Sequence, residues 1–138
     1  MLTMHVKRES IIDLLKFLRD DSELQFVFLT TLCGVHYPND EEKFEVVYHL
    51  HSFVNNFRLR LKVRIAGDPP HCPSAVKIYP TANWMERETY DFFGVNFEGH
   101  PNLKRILNVE EMIIFPLRKE YPLEDQTRED KNDLMFGR

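Results

Sequence analysis

Residues 83–107 read Asn-Trp-Met-Glu-Arg-Glu-Thr-Tyr-Asp-Phe-Phe-Gly-Val-Asn-Phe-Glu-Gly-His-Pro-Asn-Leu-Lys-Arg-Ile-Leu, and their reading decides the fold. Asn83 is a favourable N-cap, and Glu86 follows at capping-box spacing, where its carboxylate can reach back to the cap N–H. Gly94 can turn left-handed without a Cβ penalty and reads as the C-terminal stop. The spacing predicts a helix over 84–93. Met85, Thr89, Phe92 and Phe93 share one arc and should face a core, while Trp84, Arg87, Glu88 and Asp91 spread over the other side. Arg87 and Asp91 stand four apart, close enough to pair on the surface for about 0.2–0.5 kcal/mol. Glu86 and Glu88 lie in the first turns, where the helix dipole favours negative charge. Local features alone describe a capped amphipathic helix with a charged outer face.

Upstream, Ile11, Leu14, Leu15 and Leu18 carry the period of an amphipathic helix over about 8–19, and Asp20-Asp21-Ser22 ends it. Leu24 to Val35, rich in Phe, Val, Leu and Thr, reads as a largely buried strand. After the turn Tyr37-Pro-Asn-Asp-Glu-Glu, Phe44, Val46, Tyr48 and Leu50 alternate with Glu45, Val47, His49 and His51, which predicts a half-buried strand over 43–51. Asn55-Asn56 tolerates left-handed geometry and closes a hairpin. In the next strand, 57–65, Phe57, Leu59, Leu61, Val63 and Ile65 point one way and Arg58, Arg60, Lys62 and Arg64 the other. Such a basic ladder fits the wet face of a sheet paired with acids such as Glu45; an acid-seeking docking surface or a nucleic-acid face is the alternative. No aromatics interleave with the basic residues, which counts against a stacking platform for RNA.

Ala66 to Ser74, with Pro69-Pro70 and Pro73, reads as a loop. Val76-Lys-Ile-Tyr reads as a short extended piece stopped by Pro80, and Val95 with Phe97 as a short strand. From Arg118 the chain turns polar and charged, which predicts an extended tail, poorly packed on its own fold. The fold class is therefore α+β, with a two-layer, mostly antiparallel sheet packed against helices and an extended C-terminal tail. One domain over 1–117 and a charged, partner-binding tail over 118–138 make up the predicted organisation.

At 138 residues, 43% hydrophobic and 29% charged, the chain has the composition of a globular domain large enough to bury a core. A net charge of −4 argues against a dedicated nucleic-acid binder. The two cysteines, Cys33 and Cys72, are too few for a disulfide framework, and a reducing compartment fits them best. No apolar run approaches the roughly 20 residues of a membrane helix, and the N-terminus resembles neither a signal nor a transit peptide. Any membrane association is expected to come through partner proteins.

Redox chemistry finds no footing in the sequence. Two distant cysteines cannot supply the thiolates of an iron–sulfur cluster. None of the five glycines forms G-x-G-x-x-G, and Gly94 to Gly99 has phosphate-loop spacing but runs into His100-Pro101. His49 and His51 could offer two metal ligands on one strand face, without an evident third; an ordinary surface pair explains them better. His71-Cys72 reads as loop packing. No active site is evident.

The pattern Glu86-Arg87-Glu88, Asp91, Phe92-Phe93, His100, Lys104-Arg105, Ile106-Leu107 resembles the signature of the 30-kDa subunit family of proton-pumping NADH:quinone oxidoreductase, respiratory complex I. Phe44–Leu50, Arg58–Val63 and Pro80–Trp84 resemble flanking segments of that family, and Pro116-Leu117-Arg118-Lys119 its closing motif, although Phe115 stands where the family usually has His. The resemblance covers roughly 24–123. It implies a structural subunit without a redox centre, bracing the peripheral arm near the quinone site and the terminal clusters. FMN, iron–sulfur clusters, NADH and quinone would belong to the complex, and no cofactor or metal to this chain. Its partners would be peripheral-arm subunits, especially the quinone-site 49-kDa-type subunit and iron–sulfur subunits, with no nucleic acid and no direct membrane span. The place implied is the cytoplasmic face of the bacterial inner membrane. By the same resemblance, Glu86, Arg87, Glu88, Asp91, His100, Lys104 and Arg105 would hold the motif and its subunit contacts, with Phe92, Phe93, Ile106 and Leu107 packed beneath, and none would be catalytic. The alternative is the equivalent subunit of a membrane-bound hydrogenase, formate hydrogenlyase or deazaflavin-dependent dehydrogenase. A nucleic-acid-binding module using 57–65 is weaker.

Overall fold

A computed structural model describes residues 1–122. Its frame is a four-stranded sheet in the order β1-β4-β3-β2, where β1 is Leu2–His5, β2 Phe28–His36, β3 Phe44–Ser52 and β4 Phe57–Ile65. The three long strands pair antiparallel, as their alternation and the Asn55-Asn56 turn predict. Asn56 takes the left-handed conformation in that turn, with φ +46°. β1 was not legible, because its four residues are exposed and carry no burial period; it pairs parallel to β4 and makes the sheet mixed.

Between β1 and β2 runs α1, Ile11–Asp20, preceded by a 3-10 turn at Arg8–Ser10. Its Ile11, Leu15 and Leu18 are buried in the core with Leu59, Leu61, Val63 and Ile65 of β4. β2 begins later than Leu24. Asp21 Oδ1 accepts the N–H groups of Glu23 and Leu24, and Gln25 turns left-handed at φ +46°, so the helix end and a turn consume residues 21–25. Phe26 N–H returns to Leu18 O before the strand starts.

β3 differs from its half-buried reading by being covered on both faces. Glu45 is fully buried on the outer side, held by Lys62 Nζ at 2.9 Å and Arg64 Nε at 3.0 Å. The aliphatic stems of such long side chains can cover sheet surface while their charged ends pair, and Val47 is buried beside them. Glu45 thus pairs with two of the four basic residues of the ladder, Lys62 and Arg64, and not with Arg58 or Arg60.

Two short pieces complete the frame. β5, His71–Pro73, and β6, Asn96–Glu98, pair in parallel, so part of the predicted 66–74 loop is a strand. Val76–Tyr79 is a turn rather than an extended piece, with the N–H groups of Ile78 and Tyr79 both donating to Ala75 O. This turn feeds α2, Ala82–Phe93, which lies against β2. Gly34 permits that approach: a Cβ there would stand 2.7 Å from a ring carbon of Phe93 and 2.9 Å from the methyl of Thr89. Gly34→Ala should therefore cost about 1–3 kcal/mol by forcing α2 off the sheet, read as a lower urea midpoint.

Candidate functional site

α2 and the chain that follows it form one unit. The helix begins two residues before the predicted start, with Thr81 at the N-cap and no side-chain cap bond. Asn83 is not the cap, and Glu86 does not reach back to it. Glu86 instead is fully buried: Oε1 accepts Ala75 N–H at 2.7 Å and Oε2 accepts Ser74 Oγ–H at 2.7 Å, tying the helix to the turn that precedes it. Burial pushes its carboxyl up to about 7 against the lowering pull of those donors. Its spacing from Asn83 mimics a capping box; the bonds it makes to Ser74 and Ala75 decided otherwise.

Asp91 also departs from the surface reading. It does not pair with Arg87 but is fully buried, and its carboxylate accepts five hydrogen bonds. Oδ1 takes Arg105 Nη1 at 2.7 Å and Asn108 Nδ2 at 3.1 Å; Oδ2 takes the backbone N–H groups of Ile106, Leu107 and Asn108 at 3.1, 2.8 and 2.9 Å. Burial alone would raise this carboxyl. The Asn108 and Leu107 amides, the Arg105 guanidinium and the Ile106 amide outweigh it and hold the group well below the usual carboxylate range.

Arg105 carries the same tie further. Its Nη1 also donates to Asp91 O, and its Nη2 to Met112 O and Ile114 O. Arg87 donates to Lys104 O and Arg105 O from the next turn of the helix. His100 Nδ1 accepts Asn102 N–H, which leaves the proton on Nε2 to donate to Asn83 O at 3.0 Å. Residues 100–119 thus lie along α2 as a strap with little regular structure of its own.

The strap also closes the helix. The last four carbonyls of a helix lack intrahelical partners. Here Tyr90 O accepts Gly94 N–H, Asp91 O accepts Arg105, Phe92 O accepts Leu117 N–H, and Phe93 O accepts Arg118 Nε. Gly94 has φ +77°, as its C-terminal role predicts, and a Cβ there would meet Phe115 at 2.6 Å and Arg118 at 2.7 Å. Phe115 packs edge-on to Tyr90, and the Arg105 and Arg118 guanidinium groups lie 5.1 and 4.8 Å from its ring centre.

Arg118 and Lys119, assigned by sequence to the tail, are held by the fold: Arg118 is buried and reaches Asp68, and Lys119 N–H donates to the buried His36 Nδ1 at 3.0 Å. His36, one residue past the predicted strand, carried no signal of this role and ends β2. Pro116 is half-buried and Leu117 exposed. Residues 123–138 of the predicted tail lie outside the described residues.

The remaining residues of the predicted signature divide between the surface, the edge of the core and a groove. Glu88 and Lys104 are exposed and make no side-chain hydrogen bond or ion pair among the described residues. Phe92 and Phe93 are partly buried, and Phe93 packs on the core. Leu107 does not pack beneath the motif; it is 67% exposed, and Trp84 is 72% exposed. With Pro80, Met85 and Ile106 they line an open, mainly apolar groove of about 680 Å³ rimmed by Glu88. His49 and His51 join no metal-capable group, since among the described residues no three His, Cys, Asp or Glu side chains gather. Cys72 is buried with Sγ 3.6 Å from Tyr48 Oη, and burial pushes its thiol up to about 12. No helix among the described residues is long and apolar enough to cross a membrane.

Residues 4–127 match the family described as respiratory-chain NADH dehydrogenase, 30 Kd subunit. The chain belongs to this family. It is 52% identical over 122 residues to the C subunit of NADH-quinone oxidoreductase from Roseiflexus castenholzii, covering 88% of this chain and 70% of that protein. To the protein of the same name from Streptomyces coelicolor it is 47% identical over 123 residues, covering 88% of this chain and 49% of the relative. Among solved structures, the trypsin-resistant fragment (1-134) of Nqo5 aligns with TM-score 0.66 at 30% identity, over 73% of this chain and 81% of that one. A chain of the archaeal membrane-bound sulfane sulfur reductase aligns with TM-score 0.78 at 29% identity, over 94% and 82%. The matched range includes the helix and its strap.

Removing the Asp91 charge tests the strap. Asp91→Asn leaves the Arg105 guanidinium without its anion in a buried site and should cost roughly 3–5 kcal/mol in urea unfolding at pH 7. Because the folded value is depressed, the Asp91 contribution is present above about pH 4 and is lost as pH falls below it. Glu86 runs the opposite way. Its folded value is raised, so its contribution is full below about pH 4 and is lost as pH rises through about 7. Glu86→Gln can still accept Ala75 N–H through its amide oxygen and donate its amide N–H to Ser74 Oγ without the charge. Unfolding measured from pH 4.5 to 7.5 should show the variant gaining on the wild type by a few kcal/mol across that window.

Proposed function

We propose that the chain is a structural, non-catalytic subunit of an NADH:quinone oxidoreductase peripheral arm. The observation that carries this reading is how the signature uses its charges. Glu86, Arg87, Asp91, Arg105 and Arg118 each hold one backbone segment against another, leaving none poised in a cleft for acid–base or nucleophilic work. What the strap leaves open is apolar: Trp84, Met85, Ile106 and Leu107 beside one another with Glu88 at the rim. An exposed aromatic and aliphatic patch with a polar rim is the composition of a protein interface. The names of the relatives support assembly into an NADH–quinone oxidoreductase; in this reading the chain sits on the cytoplasmic side and is attached to the membrane through other subunits. Flavin, clusters and the quinone site would be held by those subunits, the 49-kDa-type and iron–sulfur subunits first among the partners.

A second reading has its own support. The likeness to a sulfane sulfur reductase chain covers 94% of this one, so the same fold can serve as the equivalent subunit of a related respiratory membrane complex. The identity of the co-purifying subunits separates the two.

The test is a tagged chain recovered from gently solubilised membranes, wild type against Trp84→Ala and Leu107→Asp. Wild type should bring down flavin, iron–sulfur and membrane subunits with NADH:quinone activity. Both variants should fold, since the side chains are exposed, and should lose those subunits, with Trp84→Ala costing about 2 kcal/mol of association. Variants that retain the full set of subunits would contradict the docking role of the groove.

A further inference from the structure

The outer face of the sheet, away from α2 and its groove, carries a second amphiphilic patch. Register places His49 opposite Arg60 and His51 opposite Arg58 across β3 and β4, and Phe28 opposite His51 across β2 and β3. Further along the ladder, Lys62 and Arg64 are neutralised by Glu45, and Arg64 also by Asp40. Arg58 and Arg60 have no carboxylate partner among the described residues, where like-signed neighbours would ordinarily be compensated.

Arg60 is nevertheless oriented. Its Nε donates to His49 Nε2 at 3.0 Å, which requires a neutral imidazole protonated at Nδ1 and leaves both terminal nitrogens of the guanidinium without a partner among the described residues. Burial and the Arg60 charge both lower the His49 pKa, so the imidazole stays an acceptor at neutral pH. Beside this pair, His51 packs on Phe53 with ring centres 4.7 Å apart and Phe28 on Phe53 at 5.4 Å. Phe53 and Phe28 stay 60% and 41% exposed. A pre-oriented arginine, a second arginine without a carboxylate partner among the described residues and two exposed phenylalanines on one sheet face match the residue types that dominate protein interfaces.

We propose that this face is a second docking surface, taking a protein segment that presents an Asp or Glu carboxylate to Arg58 and Arg60 and an adjoining apolar side chain to Phe28 and Phe53. The planar fork of Arg60, held from behind by His49, suits a carboxylate in bidentate geometry. A nucleic acid fits less well: the chain has net charge −4, and the two phenylalanines stand at one end of the ladder rather than between its cations. The inference rests on the subunit reading above but uses a different face.

The test is carbodiimide cross-linking of the assembled complex, purified through the tagged chain carrying Arg58→Lys or Arg60→Lys. Carbodiimide joins amines to carboxylates and leaves guanidinium groups untouched. A new link from position 58 or 60 to an Asp or Glu of another subunit is expected, absent from the wild type. The double variant Arg58→Glu, Arg60→Glu, shown to be folded by circular dichroism, should reduce the recovery of other subunits about tenfold. A complex that assembles without any such link, or with links only to acids of this chain, overturns the proposal and leaves the subunit reading standing. Salt-sensitive binding to polyuridylate or to phosphatidylglycerol vesicles that the double reversal abolishes, without loss of subunits, also overturns it. Wild type recovered alone overturns both.

Discussion

A buried carboxylate with five donors organises this molecule. Taking Asp91 out of water would cost several kcal/mol if it were left bare. The cost is met by Arg105 and by three successive backbone N–H groups, which exist only because residues 105–108 curl around the carboxylate. The interaction is therefore reciprocal. The strap has no ladder of its own to satisfy its amides, and Asp91 has no solvent, so each makes the other possible. A buried polar group of this kind specifies one arrangement among many, because any slip of the strap by a residue leaves donors and acceptors unpaired together.

The same segment solves the open end of α2. Four carbonyls that would otherwise need water receive N–H donors, three of them from the strap. Gly94 sets the turn that lets this happen, and Phe115 occupies the space that its missing side chain leaves. Helix, strap and sheet are in this way one cooperative unit, with Gly34 fixing the helix on β2 at one side and Arg118 joining Asp68 at the other. The outer surface of that unit carries an apolar groove beside α2 and an arginine-bearing sheet face, the two places proposed above for partners.

Much of the fold was legible because period is a local signal. The alternation in 57–65, the helix at Ile11–Leu18 and the Gly94 stop all depend on near neighbours, and all appear. The misreadings share one cause, which is that long-range burial overruled local chemistry. Asp91 and Arg87 have the spacing of a surface pair, yet both side chains are drawn to the strap, which no helix pattern can announce. Glu86 has capping-box spacing and is buried against Ser74 and Ala75 instead. β1 and β5 are too short and too exposed or Pro-rich to show a period. The signature is recognisable as a pattern without its physical meaning being legible, since its residues make sense only once segments far apart in sequence are brought together.

The central claim is that Asp91 holds the strap through its amides, and amide hydrogen exchange reads it most directly. Ile106, Leu107 and Asn108 lie outside any helix or strand, so without the carboxylate their N–H groups would exchange at the rate of exposed chain. The account predicts that these three amides in the wild-type protein are protected to the same extent as those of α2. Exchange at the exposed-chain rate at all three, with α2 still protected, would contradict it.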